Sequence, residues 1–137
     1  MSTVFADTGF WIALLNPRDS LHQKARELDA SPEVEHVVTT EMVLTEFLND
    51  AGARGRTLRN TASRFLDRLR DDAGVTVIPQ TSDQFWKSAK VFAERADKGW
   101  SLTDCASFLV MQEKGVREAL THDRHFEQMG FRALLRG

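Results

Sequence analysis

Four acids, Asp7, Glu46, Asp104 and Asp123, stand among mostly apolar neighbours in this chain. Asp7 follows Thr3-Val4-Phe5-Ala6 and precedes Thr8-Gly9, a turn that suits close approach of backbone to a ligand. Asp104 opens a stretch in which Cys105, Ala106, Phe108, Leu109, Val110 and Met111 are apolar, so a helix from Ser101 to Lys114 is enclosed by protein on nearly every side. Asp123 closes Leu120-Thr121-His122-Asp123, and Glu46 flanks the helical face of Met42, Val43, Phe47, Leu48 and Ala51. A buried carboxylate needs hydrogen-bond donors, a cation or a raised pKa. Four of them in one cleft repel one another, and a divalent cation removes that conflict. An all-oxygen donor set points to Mg²⁺ or Mn²⁺ rather than zinc, and an ion of that kind activates water at neutral pH.

Each acid also has a structural explanation. Asp7 and Asp123 are good N-caps for the helices that follow them, and Ser101-x-x-Asp104 matches a capping box. For Asp104 the two roles are compatible, since one oxygen can bond backbone while the other faces a cation. A helical glutamate such as Glu46 is usually solvated. Asp50, one turn after Glu46, reads as a surface acid or a supporting group, and Asp97 as an exposed loop acid held in reserve. His122 and His125 match no zinc spacing and read as loop residues. Cys105 reads as a small buried filler.

The elements that must position these groups alternate. Strands are expected at Thr3–Ala6, His36–Thr39, Val75–Pro79, Glu118–Thr121 and Phe131–Leu134. Helices are expected at Phe10–Leu15, His22–Ala30, Glu41–Ala53 with Thr40 as N-cap, Thr57–Asp72, a segment capped by Ser82 or Asp83 through Ala96, Ser101–Lys114 and His125–Met129. Short apolar strands alternating with helices predict an α/β fold, a parallel sheet covered on both faces. Ligands in such sheets bind beyond the carboxyl ends of the strands, where Asp7 and Asp123 fall.

Composition narrows the class. At 137 residues, 42% hydrophobic and 28% charged, the chain predicts one soluble domain spanning residues 1–137. No apolar run is long enough to cross a membrane, and Met1 leads directly into Val4-Phe5-Ala6-Asp7 without a basic leader, so a cytoplasmic location is expected. One cysteine excludes an internal disulfide. A net charge of −2 argues against a protein that coats nucleic acid, though not against a nuclease whose acids gather at a metal. Arg54, Arg56 and Arg59, in a glycine-broken turn, and Arg124 beside Asp123 are candidate phosphate contacts. Arg64, Arg68 and Arg70 alternate with Asp67, Asp71 and Asp72 as on a solvated face.

Together, Phe5-Ala6-Asp7-Thr8-Gly9, Thr39-Thr40 through Glu46-Phe47, Ser101-Leu102-Thr103-Asp104-Cys105 and Leu120-Thr121-His122-Asp123-Arg124-His125-Phe126 resemble the PIN-domain ribonucleases, particularly the VapC toxins of toxin–antitoxin pairs. The resemblance implies a PIN-like three-layer fold around a parallel five-stranded sheet, and metal held by Asp7, Glu46, Asp104 and Asp123. Thr8 and Thr121 match hydroxyl positions that shape the pocket. It further implies hydrolysis of RNA with Mg²⁺ or Mn²⁺, a homodimer and an antitoxin partner. An antitoxin peptide would set an arginine among the carboxylates. Phe10, Trp11, Phe47 and Leu48 would line its groove, although core packing accounts for them equally. The competing readings are a non-catalytic PIN-like module, a DNA nuclease, and a phosphoryl-aspartate enzyme, which lacks its second acid two residues after Asp7.

Overall fold

Alternation of β-branched runs with amphipathic helices produces the parallel sheet. The computed structural model describes residues 2–136. Its strands are β1 (Ser2–Ala6), β2 (Val34–Thr40), β3 (Val75–Ile78), β4 (Glu118–Leu120) and β5 (Arg132–Ala133). Its helices are α1 (Thr8–Leu15), α2 (His22–Asp29), α3 (Glu41–Ala53), α4 (Arg56–Arg70), α5 (Ser82–Glu94), α6 (Leu102–Lys114) and α7 (Arg124–Gln128). The strands lie in the order β3-β2-β1-β4-β5, all parallel. Helices flank the sheet, giving the expected three-layer fold. β1 is central because its last three residues, Val4, Phe5 and Ala6, are fully buried. The strand order therefore reverses direction around β1, and the crevice beyond the tips of β1 and β4 is where such sheets bind ligands.

Several local expectations are corrected. Thr8-Gly9 is the first turn of α1 rather than a turn before it: Asp7 is extended, and the Phe10 N–H already bonds the Asp7 carbonyl at 3.1 Å. Thr81, not Ser82 or Asp83, caps α5 by accepting the Gln84 N–H at 3.1 Å. β2 begins two residues early because Val34 pairs with Ser2 across a register shift in β1. β5 shrinks to two residues, since Leu134 and Leu135 turn away to bond β4 and Thr121 individually.

α6 is the buried helix its composition predicts, with Thr103 through Phe108, Val110 and Met111 all buried. Ser101 starts it with a complete capping box, and Gly115 ends it in the left-handed conformation at φ 67°, which costs a glycine little. Beneath the β4 end of the sheet Phe108 stacks edge-on against Phe126 at 4.9 Å and Trp100 at 5.1 Å. Burial of each ring stabilises by about 2–3 kcal/mol. Trp100 also donates to Gln128 at 2.8 Å and carries Arg95 over its face at 4.8 Å, so the segment leading into α6 is tied to the α7 side.

Candidate active site

Four separate elements deliver the acids to one crevice. Asp7 ends β1, Glu46 lies midway along α3, Asp104 is in the first turn of α6, and Asp123 precedes α7. All four line a cleft of about 450 Å³, together with Thr8, Gly9, Gly99, Ser101, Thr121, His122 and His125. A larger groove of about 770 Å³ lies between α3, α4 and β3, lined by Leu44, Leu48, Leu66 and Val77. It is the roomier space, but the convergent acids are in the smaller one, and chemistry follows them.

The hydrogen bonds sort the roles left open by sequence. Asp7 sits at the N-cap of α1 yet makes no capping bond to that helix. Its Oδ2 instead accepts the Thr121 hydroxyl at 2.9 Å, and Thr121 Oγ1 in turn accepts the Asp123 N–H at 3.0 Å. Thr121 thus couples the tips of β1 and β4. Trp11 donates to Thr39 at 3.2 Å and Thr39 to the Ala6 carbonyl at 2.9 Å, which secures the backbone just before Asp7. Asp123 does cap α7, accepting the His125 N–H at 2.9 Å. Asp104 closes its capping box through Oδ2, which takes the Ser101 N–H at 3.1 Å. Glu46 is bracketed by two threonines, Thr8 on Oε1 and Thr103 on Oε2, each at 2.8 Å.

Two residues that sequence reasoning passed over belong here. Thr103 gave no signal beyond standing next to Asp104. From its spacing His125 reads as a loop residue, but it lies in the first turn of α7 with Nδ1 3.0 Å from Asp104 Oδ2 and 3.2 Å from Asp123 Oδ1. Its signal was its place two residues after an N-capping aspartate, where the helix turns the ring back over the cap. His122 is exposed and lines the cleft without a side-chain hydrogen bond among the described residues.

Electrostatics follow burial. Asp7 is only 8% exposed, and its pKa is pushed from 3.8 up to about 7. Desolvation is the main cause, partly offset by the Thr8 backbone and the Thr121 hydroxyl, with the charges of Asp104 and Asp123 pushing it further up. Asp104 is raised by burial too, against the pull of Ser101 and His125. Two carboxyls in one cleft, Asp7 and Asp104, are thus penalised for ionising, a cost that a bound cation offsets.

Other candidates lie elsewhere. Arg54 is locked to Asp50 by two bonds of 2.7 and 3.2 Å, which also settles Asp50 as a surface partner. The Arg59 guanidinium rests against Gly52, where an added Cβ would come within 3.0 Å of it. Arg56 and Arg124 are exposed, and none of these four arginines lines the cleft. Asp97 pairs with Arg95 at 3.2 Å, which lowers its pKa, and it too lies outside the cleft. Phe10, Trp11 and Phe47 are 1–2% exposed and belong to the core, although Phe47 also edges a cavity of about 10 Å³ beside Ile12 and Leu58, away from the acids. Leu48 is partly buried and borders the α3–α4 groove.

A parallel five-stranded sheet with four acids gathered at its central crevice defines a class, and residues 4–132 match the PIN domain: the chain belongs to the PIN-domain family. Among characterised relatives it is similar to the 23S rRNA-specific endonuclease VapC20 of Mycobacterium tuberculosis, 33% identical over 132 residues that cover 93% of this chain and 95% of the relative. The crystal structure of M. tuberculosis VapC20, a sarcin–ricin loop cleaving toxin, superposes with a TM-score of 0.81 at 30% identity, covering 95% of this chain and 96% of that one. FitAcB from Neisseria gonorrhoeae shares the fold with a TM-score of 0.68 at 16% identity, covering 95% of each chain.

Proposed function

We propose that this chain is a metal-dependent endoribonuclease and the toxin of a toxin–antitoxin pair, acting in the cytoplasm as one PIN domain over residues 1–137. The observation that carries the reading is the convergence of Asp7, Glu46, Asp104 and Asp123 on one cleft. Homology to an rRNA-cutting toxin over nearly the whole chain supports RNA over DNA. A divalent ion fits the donor set, which is rich in carboxylate oxygen. Burial is the main reason that Asp7's pKa is raised, the charges of Asp104 and Asp123 add to it, and a bound cation would offset both. Asp7 and Asp104 would hold Mg²⁺ or Mn²⁺ directly. Asp123 and Glu46 would complete its surroundings, Glu46 with both oxygens already engaged by threonines.

When bound, such an ion lowers the pKa of water and offsets charge building on the phosphate. The chain's own contribution is positional. Thr121 keeps Asp7 beside Asp123, Thr8 and Thr103 hold Glu46 at the rim, and Ser101 aims Asp104. Arg56, Arg59 and Arg124, all exposed, would meet RNA phosphates outside the cleft, and Arg54 would do so only by leaving Asp50.

The test is cleavage of a transcript pool and of a sarcin–ricin stem-loop RNA, with and without Mn²⁺, with cut ends mapped. Cleavage that needs Mn²⁺ and stops in chelator is expected. Binding without turnover would favour a non-catalytic module instead.

A homodimer is part of the proposal, and α5 offers the surface. Phe85, Trp86, Ala89, Phe92 and Ala93 share one arc of that helix at helical spacing, and Trp86 and Phe92 are 69% and 52% exposed. Alanines between aromatic rings let a second α5 approach closely. Light scattering should give twice the 15.5 kDa chain mass, and Trp86→Glu should return it to one. A monomeric parent chain would remove this part of the reading.

A further inference from the structure

His125 is placed to decide which oxygens of the site remain free. Its Nδ1 lies between two carboxylate oxygens, Asp104 Oδ2 at 3.0 Å and Asp123 Oδ1 at 3.2 Å. Both are acceptors, so the ring proton belongs on Nδ1, donated to Asp104. Each of those oxygens also receives a backbone N–H, from Ser101 at 3.1 Å and from His125 itself at 2.9 Å. The other oxygens, Asp104 Oδ1 and Asp123 Oδ2, accept no hydrogen bond among the described residues.

The three side chains are close enough for all to be read as ligands of one ion, with one donor atom from each within 4.8 Å of the others. The hydrogen bonds argue against that reading for Nδ1, which carries its proton toward a carboxylate and has no lone pair to give a metal. The remaining lone pair is on Nε2, which lies beside Gly99. We infer that His125 is a positioning residue: by donating from Nδ1 to Asp104 Oδ2, beside Asp123 Oδ1, it turns Asp104 Oδ1 and Asp123 Oδ2 toward the cleft as the oxygens that meet the cation. Ser101 and the α7 backbone hold the same two carboxylates from behind, and the imidazole is the side chain that spans them. Its ring is partly covered, with 26% of its side-chain surface exposed, so it keeps one orientation without being sealed in the core.

The inference rests on the proposal that the cleft binds a divalent ion, and calorimetry with Mn²⁺ alone separates the two. The parent protein should bind Mn²⁺. His125→Ala should bind it about tenfold more weakly, the scale of losses when a ligand's hydrogen-bond partner is removed. His125→Asn places an amide N–H near the position of Nδ1 and should recover most of that loss. His125→Leu fills the space without a donor and stands in for the alanine variant if melting curves show that the latter does not fold. Pulsed EPR of the Mn²⁺-loaded parent should show no directly bonded nitrogen. Bound nitrogen, unchanged affinity in both donor-less variants, or no recovery with asparagine would each overturn the positioning role while leaving the metal site intact. Failure of the parent protein to bind Mn²⁺ would instead remove the metal reading, and this inference with it.

Discussion

Asp104→Asn is expected to lower RNA cleavage in Mn²⁺ by on the order of 10³-fold, equivalent to about 4 kcal/mol of lost transition-state stabilisation, while the protein stays folded. The hydrogen bonds dictate both halves of that result. Oδ2 of residue 104 faces two donors, the Ser101 N–H and the His125 Nδ1–H, so an asparagine must put its carbonyl oxygen there. Its amide NH₂ then occupies the place of Oδ1. Two donor hydrogens point into the cleft where a lone pair is needed for a cation. The capping box survives, because the Ser101 side chain still accepts the residue-104 N–H at 3.0 Å, and α6 keeps its start. Single-turnover cleavage with mapped ends, alongside circular dichroism and a melting curve, checks the prediction. Activity above a tenth of the parent's in a folded Asn variant would mean that Asp104 is a helix cap and little more.

Asp7→Asn should make the metal-free protein more stable near pH 8, which is unusual for a change in a buried site. Below pH 3.8 folded and unfolded chains both hold the Asp7 proton, and the residue costs nothing through ionisation. As pH rises from 3.8 the unfolded chain gives up that proton while the folded chain retains it until about 7, so stability falls across this window. Above about pH 7 the full cost is present. The interval corresponds to an upper bound of roughly 4 kcal/mol. An asparagine carries no charge and can still accept from Thr121. The expected outcome is a gain in Tm on the order of 5 °C at pH 8, shrinking toward pH 4. Adding Mn²⁺ should reverse the order: the parent chain gains stability by binding the ion, and the variant gains little. Cleavage by the variant should be lost in parallel. Equal melting of the two proteins at pH 8 without metal would show that ionised Asp7 costs the fold nothing.

The same residues mark how far sequence reasoning reached. The order of strands and helices was legible because it rests on local periodicity, as in Val75-Thr76-Val77-Ile78 and the apolar surround of α6. Thr40 was recognisable as a cap and accepts the Val43 N–H at 3.0 Å as expected. Element ends were less legible. Thr8-Gly9 looked like a turn because glycine is permissive, but the extended backbone of Asp7 let the helix begin at once. Arg54 looked free until Asp50, one helical turn before it, met it at the end of α3. Phe10, Trp11 and Phe47 fitted a groove or a core equally well, and only packing decided for the core, with Trp11 and Phe47 against Phe65 and Phe10 edge-on to Trp11.

Residue types and local spacing were enough to place Asp7, Asp104 and Asp123 at strand ends or a helix start and Glu46 within a helix of a parallel α/β chain, an all-oxygen set that suits a cation. Beyond the local caps at Asp104 and Asp123, which oxygens are engaged came from contacts between residues far apart in the chain: Thr121 with Asp7 across 114 positions, Thr103 with Glu46 across 57, His125 with Asp104 across 21. Such pairings leave no periodic trace, because a hydroxyl or imidazole costs a helix or loop nearly the same whichever distant acceptor it meets. Their geometry exists only once the sheet has brought the tips of β1 and β4 and the starts of α6 and α7 within hydrogen-bond reach.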